Sequence, residues 1–348
     1  MDHFIPIFMC VLSTLVLLKS LQKFAFNINL VDRPNHRKIH EGNVPLIGGI
    51  AIMGGFMVAA LLSPRSLNEW RPLFLSMLPL LIVGVLDDHR DINVRTRIIV
   101  QVIACLIMIY YANVRINNLG DLFGMGIVEL EGIETVFTVF CVIGVLNALN
   151  LIDGIDGACA SLSIIAIGGS IFLIKLSTNT ESISLMLYFM SGLCAFLIVN
   201  LGLLKKQISR VFLGDAGTTT IGFFMCWMFI KFSQNENEIF NPITAVWLLA
   251  IPIMDTVTVI ISRLCLRKSP FVAGRDHVHH LLLDIGFSPK SVLAILFFLG
   301  LLLAVLGVTA EIINIAEPFM FYGFLTVFFI YFLCTKKLRN NIKYNQIK

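Results

Sequence analysis

The chain has 348 residues and a net charge of +4, with 57% hydrophobic and only 14% charged residues. Soluble domains average about 45–50% apolar and about 25% charged residues, so a water-soluble enzyme, a disordered regulator and a secreted disulfide scaffold are all excluded. The small, scattered positive charge does not form a nucleic-acid-binding surface. The eight cysteines contain no C-x-x-C pair, and neither disulfide nor zinc site is expected.

Eleven apolar runs follow one another along the chain, at residues 4–18, 45–62, 73–86, 98–112, 135–149, 160–174, 185–204, 218–230, 243–262, 291–310 and 318–334. A bilayer crossing needs about 20 residues of helix, so the shorter runs must borrow polar flanks. The expected fold is all-α: a polytopic membrane helical bundle of about eleven transmembrane helices, read as one integral membrane domain over residues 1–348. If the N-terminus lies outside, 21 of the 26 Lys and Arg residues fall in inward-facing segments, which puts the C-terminus in the cytoplasm. The first run is read as a retained span. Asp2 and His3 stand where a signal peptide carries cations, and no small-x-small cleavage site follows.

With no loop long enough to fold alone, chemistry falls to five inward segments: 19–44, 87–97, 147–159, 205–217 and 263–290. The first carries Asp32-Arg-Pro-Asn-His-Arg-Lys38, whose cations either enforce topology or hold a lipid phosphate at the membrane surface. The second opens on Asp87-Asp88-His89-Arg90-Asp91. If a helix continues through it, three carboxylates crowd one face and call for a cation. The bland alternative is a surface ion-pair net with Arg90 and Arg95.

In the third segment Asn147, Asn150 and Asp153 step by three along a helix end, and Gly154 and Gly157 bracket Asp156. Asn and Gly caps would explain one amide and one glycine but not the remaining polar groups. In the fourth, Gly214-Asp215-Ala-Gly217-Thr218 precedes a span. A helix N-terminus there favours phosphate, and the Asp can hold a metal beside it; a plain N-cap is the alternative.

The last segment holds Arg275-Asp276-His277-Val-His279-His280, a weak zinc signature whose imidazoles and guanidinium suit a phosphate or sugar. Asp255, inside the run at 243–262, is expected near the inner end of its span and facing the bundle interior. Outward acids such as Glu129 and Glu131 read as ordinary solubilising charge. Clustered Asp, Gly-rich turns and cations at one membrane depth suggest a Mg²⁺-diphosphate site, where one or two carboxylates share the metal with phosphate oxygens and water.

With these motifs in this order, the chain resembles the polyprenyl-phosphate sugar-1-phosphate transferases over roughly residues 30–290. The resemblance rests on Asp87-Asp88 and Asp91, Asn147 to Gly157, Phe212 to Gly222 and His277 to His280. Val31 to Lys38, Ile251-Pro-Ile-Met-Asp255, Ser269-Pro-Phe271 and the compact Arg275 to His280 loop are most similar to members that use N-acetylglucosamine (GlcNAc). Thr218 stands where a Ser is usual, with the hydroxyl kept.

The resemblance implies transfer of GlcNAc-1-phosphate from UDP-GlcNAc to undecaprenyl phosphate in a bacterial inner membrane. UMP would be released, and the step would open O-antigen or enterobacterial-common-antigen assembly with Mg²⁺ (or Mn²⁺) as cofactor. Asp88 and Asp215 are assigned as metal ligands, Asp87 as the group that keeps the attacking phosphate deprotonated, and Asp153 and Asp156 as organisers of the site. Asn147, Asn150, Lys38, Asp91, Arg263, Arg275, His277, His279 and His280 are assigned to substrate. A related transferase of peptidoglycan or teichoic-acid synthesis and a secondary transporter are the alternatives; homodimerisation is left open.

Overall fold

The computed structural model describes residues 3–34, 42–63, 67–177, 183–234, 238–269 and 274–347, with the backbone alone for 67–69 and 343–347. Lys38 lies outside the described residues. Among the described residues the regular structure is helical apart from one antiparallel strand pair, β1 (Val31–Asp32) and β2 (Val44–Pro45), which follows α1 (Phe4–Asn27), and two isolated bridges, Leu46–Phe212 and Asn118–Glu129. Next come α2 (Gly48–Leu62), α3 (Leu67–Arg90), α4 (Val94–Ala112), α5 (Glu134–Ile152), α6 (Ala158–Leu176) and α7 (Ile183–Asn200). The second half holds α8 (Gly214–Ser233), α9 (Pro242–Leu248), α10 (Ala250–Cys265), α11 (Val278–Ile285), α12 (Pro289–Ile312) and α13 (Glu317–Ile347).

Each of the eleven apolar runs is mostly helical, although 45–62 begins in β2 and 185–204 ends in the turn after α7. Among the described residues, eight helices are long and apolar enough to cross a membrane by themselves, or nine if the pair α9 and α10 counts as one span. The run at 243–262 is not one straight helix, because α9 and α10 meet at Leu249 with a bend of 82°. The fold is therefore an all-α, multi-pass membrane protein. Its outer faces carry large apolar side chains such as Phe140, Tyr110, Phe298 and Phe319, as expected of surfaces solvated by lipid.

The core is organised around α8, which is buried along nearly its whole length. Phe224 of α8 stacks on Phe189 of α7 at 4.0 Å, and Phe56 of α2 meets both edge-on at 5.2 and 5.5 Å. Aromatic pairs of this geometry add about 0.5–1.5 kcal/mol each beyond their area. At its N-terminal turn α8 is squeezed between α2 and α3. A Cβ on Gly49 would collide with the Gly217 backbone, and one on Gly84 with that of Ala216, so only glycine permits this approach. Backbone bonds complete the clamp: Phe212 N–H donates to Pro45 O at 2.9 Å, and Gly48 and Gly49 donate to Phe212 O and Leu213 O.

Candidate active site

The turn between α3 and α4 departs from the continuous acidic helix the sequence suggested. Asp91 adopts a left-handed conformation (φ +46°) and ends α3 with its N–H on Asp87 O, so its side chain leaves the helix and is exposed. The three carboxylates therefore do not share one face. Asn93 then accepts from Arg95 N at 3.0 Å and caps α4. This sharp reversal sets Arg97, one turn into α4, opposite Asp87.

Arg97 is the cation at the centre. One guanidinium nitrogen lies 2.5 Å from Asp87 Oδ2 and 3.1 Å from Asp215 Oδ2, bridging α3, α4 and α8. Asp87 Oδ1 accepts from Ile92 N at 2.7 Å, which fixes the carboxylate on the turn. Asn150, near the end of α5, donates to Asp215 Oδ1 at 2.5 Å and to Thr218 Oγ1 at 3.2 Å. Asp88 points elsewhere. Its two oxygens accept from Asp215 N at 2.7 Å and Ala216 N at 3.2 Å, so it docks on the first turn of α8 and holds Asp215 in place.

Around this group lies a cavity of about 40 Å³. Asp87, Arg97, Asn147, Asn150, Asp215 and Thr219 line its polar side, and Leu80, Val83, Val100 and Leu146 its apolar side. Asn147 spends its amide on Ile143 O at 2.7 Å, in its own helix.

Asp153 and Asp156 occupy the turn between α5 and α6. Burial first, and then the nearby carboxylates of Asp156, Asp215 and Asp88, push the Asp153 carboxyl well above its ordinary value. Asp156 is paired with Arg210 at 2.9 Å.

The histidine loop packs onto this turn. His279 is 1% exposed, neither of its ring nitrogens has a hydrogen-bond partner among the described residues, and it lies so close over Gly154 that any Cβ there would meet Nε2. Burial, with His280 next in weight, lowers the His279 pKa to about 3; burial and Arg275 lower that of His280 to about 4. His277 Nδ1 lies 2.7 Å from Asp255 Oδ2, both groups being buried. Arg263 grips Asp276 through two nitrogens at 3.0 and 2.9 Å, and Arg275 pairs with Asp284 at 2.8 Å.

Of the residues assigned from sequence, Asp87, Asp88, Asn150 and Asp215 come together directly. Asn147 lines the same cavity, and Asp153 lies within electrostatic reach. His279 joins them through Gly154, whereas Asp91 stands apart at the surface. Sequence reasoning counted Arg97 and Arg210 for topology alone and gave Arg97 no part in neutralising the acids. The available signal was its place in the first turn of a span, just after an acidic run and an Asn cap.

The donor set suits a hard divalent cation. Mg²⁺ takes one or two carboxylates and leaves its other positions to phosphate and water. Asp215 and Asp87 already sandwich a positive group at the mouth of the cavity, and Asp88 keeps one lone pair per oxygen beyond its backbone bonds. Among the described residues no cluster of three His, Cys, Asp or Glu is preassembled as a metal cage.

Residues 70–233 match glycosyl transferase family 4. A relative from Yersinia pestis is 36% identical over 91% of this chain and 87% of its own length. One from Pasteurella multocida is 39% identical over 89% of this chain and 87% of its own length. One from Escherichia coli K12 is 32% identical over 94% and 89%. The chain belongs to glycosyl transferase family 4. All three relatives are named undecaprenyl-phosphate alpha-N-acetylglucosaminyl 1-phosphate transferase, in agreement with the resemblance read from the motifs.

Proposed function

We propose that this family member transfers GlcNAc-1-phosphate from UDP-GlcNAc to undecaprenyl phosphate, releasing UMP, at the cytoplasmic face of a bacterial inner membrane. The names of relatives alike over most of their length support the reaction. The observation that carries it in this chain is the convergence of Asp87, Arg97, Asn150 and Asp215 beside an apolar wall, a set of carboxylates, amide and guanidinium suited to a metal-bound phosphate. On this reading eleven spans run from an outside N-terminus to a cytoplasmic C-terminus. The product opens O-antigen or enterobacterial-common-antigen assembly.

In the reaction an oxygen of the lipid phosphate attacks the β-phosphorus of the nucleotide sugar. A new diphosphate bond forms, and the bond to UMP breaks. Such transfer needs alignment and charge stabilisation more than covalent chemistry. Bound Mg²⁺ or Mn²⁺, held by Asp215 and Asp88, would neutralise charge that develops on the diphosphate oxygens. Asp87 keeps the incoming phosphate deprotonated, a light task because a phosphate monoester with a second pKa near 6 is already mostly ionised. Arg97 holds Asp87 and Asp215 at one spacing and supplies positive charge to a phosphate.

Asn150 orients Asp215, and Asn147, facing the same cavity, contacts the nucleotide sugar. Asp153 and Asp156 shape the turn beneath the histidine loop, where His279 and His280, neutral at physiological pH, act as hydrogen-bonding groups rather than cations. Lys38, Asp91, Arg263, Arg275 and His277 complete the proposed substrate contacts.

The experiment is to give purified protein undecaprenyl phosphate, Mg²⁺ and a panel of UDP-sugars and to weigh the lipid product. A lipid diphosphate carrying GlcNAc is expected. A product formed only from another UDP-sugar would overturn the sugar assignment.

A further inference from the structure

Asp255 is 2% exposed, and none of the roles above uses it. An ionised carboxylate at such depth persists only if its oxygens are satisfied, and here three donors from two other elements converge on it. Oδ1 accepts from Val278 N–H at 2.9 Å, at the start of α11, and from Tyr331 O–H at 3.0 Å, on α13. Oδ2 faces His277 Nδ1 at 2.7 Å.

The same segment is held at its other edge. Arg339 of α13 donates to Asp276 O at 3.1 Å and to Ser262 Oγ, and the Asp276 side chain is gripped by Arg263. Two residues on, the His279 ring runs nearly parallel to that of His277, with 10° between planes and 6.1 Å between centroids.

A carboxylate has no proton to give, so His277 Nδ1 must carry the shared one. That leaves Nε2 as the nitrogen free to meet another group. We propose that Asp255 is a positioning residue for the transfer reaction, setting the proton of His277 on Nδ1 and holding the start of α11 so that His279 rests on the turn bearing Asp153 and Asp156. The inference rests on the proposed function, which places the histidine loop at the substrates.

Asp255→Asn separates proton placement from packing. An Asn must aim its carbonyl oxygen at Val278 N–H and Tyr331 O–H, because both are donors. Its NH₂ then faces His277, which is forced to accept at Nδ1 and to carry its proton on Nε2. The loop stays docked while the tautomer inverts.

The probe is nitrogen-15 histidine NMR of the full chain in nanodiscs, with UMP release measured in the same preparations. The expected results are an Nδ1-protonated His277 in the wild type, an Nε2-protonated one in Asp255→Asn, and a kcat lowered about tenfold or more with a smaller change in KM. His277→Ala alone should lose as much, and adding Asp255→Asn to it should cost nothing further. Tyr331→Phe, which removes only a packing bond, should cost less than about threefold.

Wild-type kcat in Asp255→Asn, an unchanged tautomer, or additive losses in the double variant would overturn the proposal. So would a Tyr331→Phe loss as large as that of Asp255→Asn, since docking alone would then explain the effect. If the wild type transfers no sugar phosphate at all, the proposed function fails, while the tautomer measurement still decides what Asp255 does to His277.

Discussion

Replacing Arg97 by Gln should bind a divalent metal more tightly and transfer sugar phosphate less well. The guanidinium lies 2.5 Å from Asp87 and 3.1 Å from Asp215, so it neutralises two carboxylates that would otherwise face each other across the mouth of the cavity. Two unit charges about 4 Å apart at an effective dielectric near 20 repel by about 4 kcal/mol, and the Asp87 and Asp215 carboxyl groups are close enough to interact directly. Arg97 and Asp215 are each about one-third exposed, so solvent screening removes part of this. If metal entry relieves even a third of the repulsion, affinity rises about tenfold, since about 1.4 kcal/mol is a factor of ten.

The assay is Mn²⁺ binding to purified protein, free of nucleotide and lipid, by electron paramagnetic resonance, with UMP release measured alongside. Tighter Mn²⁺ binding with transfer reduced roughly 100-fold fits the loss of one charged contact in the transition state. Unchanged or weaker Mn²⁺ binding would refute the reasoning, because the metal would then not enter the field that Arg97 now neutralises.

Asp215→Asn and Asp87→Asn should each abolish measurable UMP release while the protein still inserts and purifies; full activity in Asp215→Asn would remove that residue from the metal site. Gly214→Ala puts a side chain at φ +73° and drives its Cβ into the Asp88 carboxylate. The left-handed backbone alone costs about 1–2 kcal/mol. The variant should melt earlier and lose transfer through a displaced Asp215, and a wild-type melting temperature with full transfer would count against the Asp88 dock.

Burial lowers the His279 pKa to about 3 in the folded chain, against about 6.5 for an ordinary imidazole, so the unfolded chain binds its proton first as pH falls. Its contribution to stability is full above about pH 6.5 and declines below, by up to about 1.4 kcal/mol per pH unit, until the folded pKa is reached. His279→Phe should flatten the loss of thermal stability between pH 6.5 and pH 5, and an unchanged acid limb would show that the ring is not buried neutral.

The sequence placed most helices well because lipid imposes a blunt rule: a spanning segment must be long, apolar and helical, and eight of the described helices, or nine with the bent pair, obey it. It did not reveal the break at Leu249. Ala245 to Ile253 remains apolar across the bend, so hydropathy is blind to a change of direction. Asp87, Asp88, Asn150 and Asp215 were legible because a carboxylate or amide at the end of an apolar run has few bland explanations. Arg97 was not, since a cation beside a membrane is ordinary and only the left-handed turn at Asp91 aims it at Asp87. Asp255 was legible as an interior acid, but its partners Val278, His277 and Tyr331 come from 22 to 76 residues away. No local spacing encodes such pairings.

The most direct test of the account is UMP release from UDP-GlcNAc by the purified protein with undecaprenyl phosphate, followed as EDTA is added and Mg²⁺ then restored. The account predicts release that stops with EDTA, returns with Mg²⁺, and is matched mole for mole by lipid-linked GlcNAc diphosphate. Release that continues without a divalent cation, or without the lipid acceptor, would contradict it.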